Sequence, residues 1–272
     1  MRSSSAILPL ALAFLASQAS LWADCAVSGN VDVQVASAFL SSTGLHDTCP
    51  VTTQMGYLKM DFGAWGFIDG YGWIISALHD KQHERHRAAF NEFEGAVQYG
   101  YDWRFREGWR LRTKFGAYWD PAIGYRHGAN NLWGPYLTQS LDNPYLTPYL
   151  SALQIVAPQR KGRIKLGLKK TFSFGEKVEI APFAEVLWMD ARRFSSKYGD
   201  TPEKARVFGG AFATLQTGVR ASYAVTENLK LTAQFIQYDV INSQARRSVR
   251  HSSRYYAKCD WPVARIGISY SF

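Results

Sequence analysis

From Trp109 to Trp119 the chain alternates: Trp109, Leu111, Phe115, Ala117 and Trp119 share one phase, and Arg110, Arg112, Lys114 and Tyr118 share the other. On a helix, Arg110, Arg112 and Lys114 would be scattered among apolar neighbours; on a strand they occupy one face. Arg163 to Phe174 repeats the pattern, with Ile164, Leu166, Leu168 and Phe172 opposite Arg163, Lys165, Lys169 and Thr171. Ala264 to Phe272 does so again, with Ala264, Ile266, Ile268, Tyr270 and Phe272 against Arg265, Gly267, Ser269 and Ser271. Beyond the first 23 residues no apolar run approaches the ~18 residues of a membrane-spanning helix. The segments are therefore strands, and helical membrane folds are excluded.

Twelve such segments follow from this pattern, near residues 31–41, 51–60, 62–69, 89–103, 108–119, 131–140, 145–156, 163–174, 177–189, 208–224, 229–240 and 260–272. The connections after even-numbered segments are short, at Arg104–Glu107, Leu141–Pro144, Gly175–Glu176 and Thr226–Asn228. Those after odd-numbered segments are mostly long, at 70–88, 120–130, 190–207 and 241–259. Short turns on one rim and long loops on the other describe an all-β, transmembrane, antiparallel up-and-down barrel of about twelve strands in a bacterial outer membrane. Aromatic residues make up 15% of the chain, and Trp65, Trp103, Trp109, Trp119, Trp133, Trp188 and Trp261 fall near expected strand ends, where interfacial girdles belong. A soluble sandwich also alternates, but it gives no reason for that placement.

Residues 1–23 read as a signal peptide, leaving 24–272 as the barrel domain: Arg2 supplies the basic flank, Ala6 to Ala16 the apolar core, and Ala19 and Ala23 are candidate cleavage positions. Export permits disulfides. In a closed barrel the first and last strands are neighbours, so Cys49 and Cys259 arrive at one rim of one seam and are expected to be bridged, with Cys25 left alone.

The C-terminal segment Ala264–Phe272 resembles the last strand of Gram-negative outer-membrane β-barrels. That resemblance implies that Ile266, Ile268, Tyr270 and the terminal Phe272 form the signal read by the barrel-assembly machinery. Val35-Ala36-Ser37-Ala38-Phe39 with Gly44, followed by Gly63-Ala64-Trp65-Gly66, is similar to the start of TorF-type porins. The family typically shows an Arg before that Gly, where this chain has Ser42 and Thr43, and an acidic residue opening the fourth strand, which Glu92 and Glu94 match.

In lipid the apolar face must point outward, so the charged face lines the lumen. The basic lining is Arg110, Arg112, Lys114, Arg163, Lys165, Lys169, Arg220, Lys230 and Arg265. The acidic lining is Asp32, Glu92, Glu94, Asp102, Glu179 and Glu185. Charges in such number require water or partners. A hairpin between the fourth and fifth strands sets Asp102 beside Arg110 and Gln98 near Lys114, unless the register slips by two. Twelve strands fall between cylinders filled by side chains and open porins, which leaves three readings. The first is a channel passing small polar, chiefly anionic solutes through a basic lumen. The second is a closed structural or surface-interaction barrel whose basic loops bind lipopolysaccharide or host polyanions. The loop clusters Arg246, Arg247, Arg250, His251 and Arg254, and Arg192, Arg193 and Lys197, suit phosphate.

The third reading is an outer-membrane lipid hydrolase, and it fares worst. His46, His79, His83, His86, His127 and His251 all fall in expected loops, and no strand supplies a base beside a nucleophile. His79 and His83 have i, i+4 spacing for Zn²⁺, but Lys81, Arg85 and Arg87 make the run a poor cation site. No catalytic role, metal or cofactor is expected, and no nucleic-acid partner. The expected partners are outer-membrane lipid and lipopolysaccharide, the assembly machinery and small polar or anionic solutes.

Overall fold

The computed structural model describes residues 25–41, 44–47, 50–77, 91–121, 132–157, 160–198, 209–250 and 258–272. Its strands are β1 (Ala26–Ala36), β2 (Phe39–Ser41), β3 (Gly44–Asp47), β4 (Val51–Asp61), β5 (Phe67–Ala77), β6 (Asn91–Arg106), β7 (Trp109–Asp120), β8 (Leu132–Asp142) and β9 (Thr147–Ile155). There follow β10 (Lys161–Lys169), β11 (Phe172–Phe174), β12 (Val178–Asp190), β13 (Gly210–Ala224), β14 (Leu229–Val240) and β15 (Asp260–Ser271). Two eight-residue helices, α1 (Ala191–Tyr198) and α2 (Ser243–Arg250), follow β12 and β14.

Every neighbouring pair in the wall is antiparallel, and the sheet closes twice over: β1 pairs with β15, and β10 pairs with β12. The result is a closed twelve-strand barrel of β1, β4 to β10 and β12 to β15. β2 and β3 form a separate hairpin, and β11 continues the line of β10. The interruption has a local cause. Lys170 N donates to Pro182 O at 3.2 Å, but Pro182 has no N–H to return, so the ladder loses a bond there and resumes in unchanged register at Phe172. The turn between β6 and β7 is only Glu107-Gly108, closed by Gly108 at φ 72°.

Most strands lie where the alternation puts them, and two are displaced by five residues: the first, expected over 31–41, is β1 (Ala26–Ala36), with Phe39–Ser41 taken into the separate β2–β3 hairpin. The expected third strand, 62–69, begins instead at Phe67, after a short 3-10 turn at Gly63–Trp65, and runs to Ala77. The β6–β7 register also differs by two residues from the expected one. Asp102 faces Arg112 and Gln98 faces Gly116, because the turn is shorter and a bulge between Arg104 and Arg106 takes up the difference.

The outward face is apolar and bare: Val31, Val33, Val35, Val97, Phe115, Leu166, Leu168, Leu231, Phe235, Ile266 and Ile268 are all exposed. Water would charge heavily for such a belt, whereas hydrocarbon does not. Two aromatic girdles bound it. Trp119 and Trp133 pair directly across β7 and β8 near the long-loop rim, with Phe93 edge-on to Trp119 at 5.4 Å. Trp103, Phe105, Phe172, Phe174, Tyr223, Tyr270 and Phe272 are exposed near the short-turn rim. Along β7 the girdles are separated by the stretch from Leu111, opposite Trp103, to Trp119, roughly 26 Å of strand. Trp261 departs from this placement: it faces Tyr238 across β14 and packs inward on the core.

Candidate functional site in the barrel lumen

The inward phase of each strand fixes the lining, and cross-strand register fixes who meets whom. Arg112 grips Asp102 through two bonds, Nε to Oδ1 at 2.7 Å and Nη2 to Oδ2 at 2.8 Å. Arg110 Nη2 donates to Asp142 Oδ2 at 2.6 Å, with its other amino group 3.7 Å from Asp102. Lys114 Nζ lies 2.9 Å from Asp69, which also accepts from Tyr57 Oη at 3.1 Å. Lys165 pairs with Glu185 at 2.9 Å, and Tyr149 Oη donates to the same carboxylate at 2.8 Å. Nearer the short-turn rim, Lys230 pairs with Glu179 at 3.4 Å, and Ser222 donates to Glu179 at 3.1 Å. Of the basic residues expected to line the lumen, Arg110, Arg112, Lys114, Lys165 and Lys230 each thus have a carboxylate partner.

Asp69, Asp142, Tyr57 and Tyr149 were not among the expected lining residues. Asp142 falls in what reads as a turn from sequence, and β5 begins five residues later than its expected segment. Once β5 is phased on Phe67, the inward position of Asp69 follows from period two alone.

Two arginines differ from the rest. Arg220 on β13 and Arg265 on β15 flank Gln234 of β14 in one cross-strand row. The Arg220 guanidinium lies 4.8 Å from the centre of the Phe183 ring, and Arg265 Nη2 donates to Leu40 O at 2.7 Å. Neither makes an ion pair among the described residues. Both line a cavity of ≈ 540 Å³ with Asp32, Gln34, Thr53, Met55, Trp73, Ser222 and Gln234. A second cavity of ≈ 480 Å³ lies against Arg112, Lys114, Thr138, Ser140, Tyr149, Lys165 and Lys169. Thr171, Ala181 and Arg220 line both, so the two are lobes of one polar chamber. Asp32 accepts from Asn30 Nδ2 at 2.9 Å. The side chain of Glu92 lies outside the described residues, although its backbone pairs with Ile75.

Toward the long-loop rim the lining turns apolar. Leu187, Met189, Ile236, Tyr238, Val240 and Val263 form a buried cluster with Ala38 and Leu40, joined by Phe194 of α1 and Ala245 of α2. Ala36, Val51 and Ile75 continue the collar on one side, and Tyr118, Leu153 and Ile155 on the other. Both helices therefore fold back onto the barrel end. Each is started by a side-chain cap: Asp190 Oδ1 accepts from Arg193 N at 2.7 Å, and Asn242 Oδ1 accepts from Ala245 N at 3.1 Å. Above the chamber, Glu94 accepts from Trp73 Nε1 at 2.9 Å, and Arg163 lies 5.6 Å from the Tyr118 ring centre.

The loop clusters are divided by this folding. Arg192, Arg247 and Arg250 are exposed, and Arg246 pairs with Asp260 at 3.1 Å. Arg193 instead turns inward, half-buried. His79, His83, His86, His127, His251, Arg254 and Cys49 lie outside the described residues, as do the side chains of His46 and Lys197 and the segment 1–24. The expected Cys49–Cys259 bridge and the signal peptide therefore fall outside what is described. At the seam itself, Gly29 N donates to Phe272 O and Phe272 N to Gly29 O, both at 3.0 Å.

No protein-family model and no curated protein sequence matches the chain. Among solved structures it is similar to the NanC porin, with a TM-score of 0.53 at 10% identity over 88% of this chain and 98% of that one. It is also similar to the COG4313 outer membrane channel from Pseudomonas putida F1, with a TM-score of 0.50 at 11% identity over 90% of this chain and 95% of that one. At these identities the likeness is one of fold. The closed barrel, its apolar belt and its two girdles make the chain a bacterial outer-membrane barrel.

Proposed function

We propose that the barrel is a channel for small polar, chiefly anionic solutes, with Arg220 and Arg265 setting the charge preference. One observation carries this reading. Arg110, Arg112, Lys114, Lys165 and Lys230 are each neutralised by a carboxylate, whereas Arg220 and Arg265 face the polar chamber with no ion pair among the described residues. Fixed charge on the low-dielectric wall of an aqueous chamber raises the local concentration of ions of opposite sign. The resemblance of the first strands to TorF-type porins agrees with a channel. On this reading the paired residues hold the wall in shape, and selectivity is concentrated in the chamber cations that have no ion pair among the described residues, Arg220 and Arg265 with Lys169 in the second lobe.

The test is the reversal potential of refolded protein in planar bilayers under a KCl gradient. The native protein is expected to favour chloride, and the double variant Arg220→Gln, Arg265→Gln to lose at least half of that preference. A native barrel that passes no current, or one whose chloride preference survives both substitutions, overturns the reading. The apolar packing at the outer end favours a second reading, a closed barrel presenting its exposed Arg192, Arg247 and Arg250 to lipopolysaccharide phosphate. That reading gains if no current flows and if binding of lipopolysaccharide vesicles falls when these three arginines are changed to Gln.

A further inference from the structure

Among the described residues, four buried side-chain polar atoms have no hydrogen-bond partner: Thr53 Oγ1, Thr138 Oγ1, Thr214 Oγ1 and Arg265 Nε. Such atoms are rare in folded proteins, because each gives up its bonds to water and receives nothing in return. Thr53 and Arg265 line the same lobe of the chamber, Thr138 lines the other, and Thr214 lines neither. Unsatisfied donors gathered on the wall of one polar cavity mark a place where a ligand atom completes the bonding.

Register brings the first two together. Gln34 of β1 faces Gly267 of β15 on one side and Thr53 of β4 on the other, and Arg265 stands two residues along β15 on the same face. Gly267 has no side chain, and a Cβ there would meet Gln34 Cγ at 2.6 Å, so Gln34 leans over that position. Thr53 is 7% exposed. Arg265 is fixed at one edge, where Nη2 donates to Leu40 O, and its Nε is left for a further acceptor. Arg220, across Gln234, brings a second cation to the same lobe. The carboxylates of the lobe do not cancel this charge. Glu179 is paired with Lys230, and Asp32 faces Ser269, four residues and roughly 13 Å of strand from Arg265.

We propose that Arg265 and Thr53, completed by Arg220, form an oxyanion-binding site for a small solute whose negative charge is confined to one end, as a carboxylate or phosphate group. The site rests on the reading of the chamber as the path of anionic solutes, and it makes that path saturable. A halide accepts hydrogen bonds without regard to direction. A carboxylate or phosphate presents two or more oxygens in fixed geometry, which suits the planar fork of an arginine with a hydroxyl beside it. Asp32, at the far end of the lobe, disfavours a solute that is negative along its whole length.

Isothermal titration of the refolded barrel in detergent, in chloride buffer, measures the binding of inorganic phosphate and, separately, of acetate; the tighter of the two identifies the group recognised. Saturable one-to-one binding is expected, weakened at least fivefold in Thr53→Val and in Arg265→Lys, which keeps the charge and loses the fork. Thr214→Val removes the unpartnered hydroxyl that lies outside the chamber lining and is expected to bind as the native barrel does. If neither anion binds saturably, or if Thr53→Val binds with native strength, the proposal is overturned. A second measurement needs no ligand. Thr53→Val is expected to keep or raise the urea midpoint, because the hydroxyl it removes has no partner in the wall; a lowered midpoint, or a failure to fold, would show that the hydroxyl is satisfied without a ligand and would overturn the site. Bilayer recording separates this proposal from the channel reading. A barrel that conducts with chloride preference but binds neither oxyanion loses only the site, whereas one that binds and does not conduct keeps the site while the channel reading falls.

Discussion

Asp69 shows how far a single carboxylate can determine the inside of this wall. It is 4% exposed and holds both Lys114 and Tyr57, residues from two other strands. Removing its charge while keeping its shape leaves the Lys114 ammonium beside a neutral amide in a poorly hydrated position. Asp69→Asn is expected to destabilise the barrel by about 1–3 kcal/mol, short of the full cost of an orphaned buried ion because water reaches the chamber. A urea titration of the refolded protein, followed by tryptophan fluorescence, checks it. A midpoint unchanged from native would mean that the ion pair is replaced by hydration at no cost. The more exposed pair Lys230–Glu179 is a useful contrast. Its side chains are 39% and 48% exposed, and breaking it is expected to cost less than about 1 kcal/mol.

At the scale of the element, the hairpin of β6 and β7 turns on Gly108 at φ 72°, a conformation that L side chains adopt at a cost. Gly108→Val is expected to lower stability by about 1 kcal/mol or more and to slow formation of that hairpin, while Gly56→Ala, with open space around it, is close to neutral. Stopped-flow refolding into detergent micelles distinguishes the two. This hairpin also shows which parts of the fold are legible in sequence. The phase of β7 is, because Arg110, Arg112 and Lys114 oppose Leu111, Phe115 and Trp119 without ambiguity. Its register against β6 is not, because that depends on a two-residue turn and a bulge at Arg104 that hydropathy does not mark. β5 was displaced for a related reason: Gly70 and Gly72 contribute nothing to its alternation, and the turn at Gly63–Trp65 carries an aromatic that reads as strand. The inward turn of Arg193 was hidden altogether, because a short helix after a strand reads as loop and its placement depends on Phe194 finding the core.

For the whole molecule, the decisive asymmetry is between an apolar outside and a charged inside. Val33 lies within β1, opposite Ile268 of β15, and is exposed on the lipid face. Val33→Arg is expected to cost about 2–4 kcal/mol and to deplete folded protein in the membrane, by the depth-dependent penalty for cations on the lipid face of barrels. Gln34→Arg, one position along and facing the chamber, is expected to be tolerated and to shift conductance; densitometry of the heat-modifiable band measures both. Equal losses at the two positions would contradict the assignment of faces. The seam between β1 and β15 has a further consequence, for the order of events. β1 obtains its second neighbour only from the last strand of the barrel, after nearly all the intervening chain has been laid down. Until then the growing sheet carries two bare edges, β1 on one side and the newest strand on the other, each a template for pairing with a foreign chain. Contacts of such long sequence separation form slowly. Closure is therefore the late step in this molecule's life, and the interval before it is when aggregation competes.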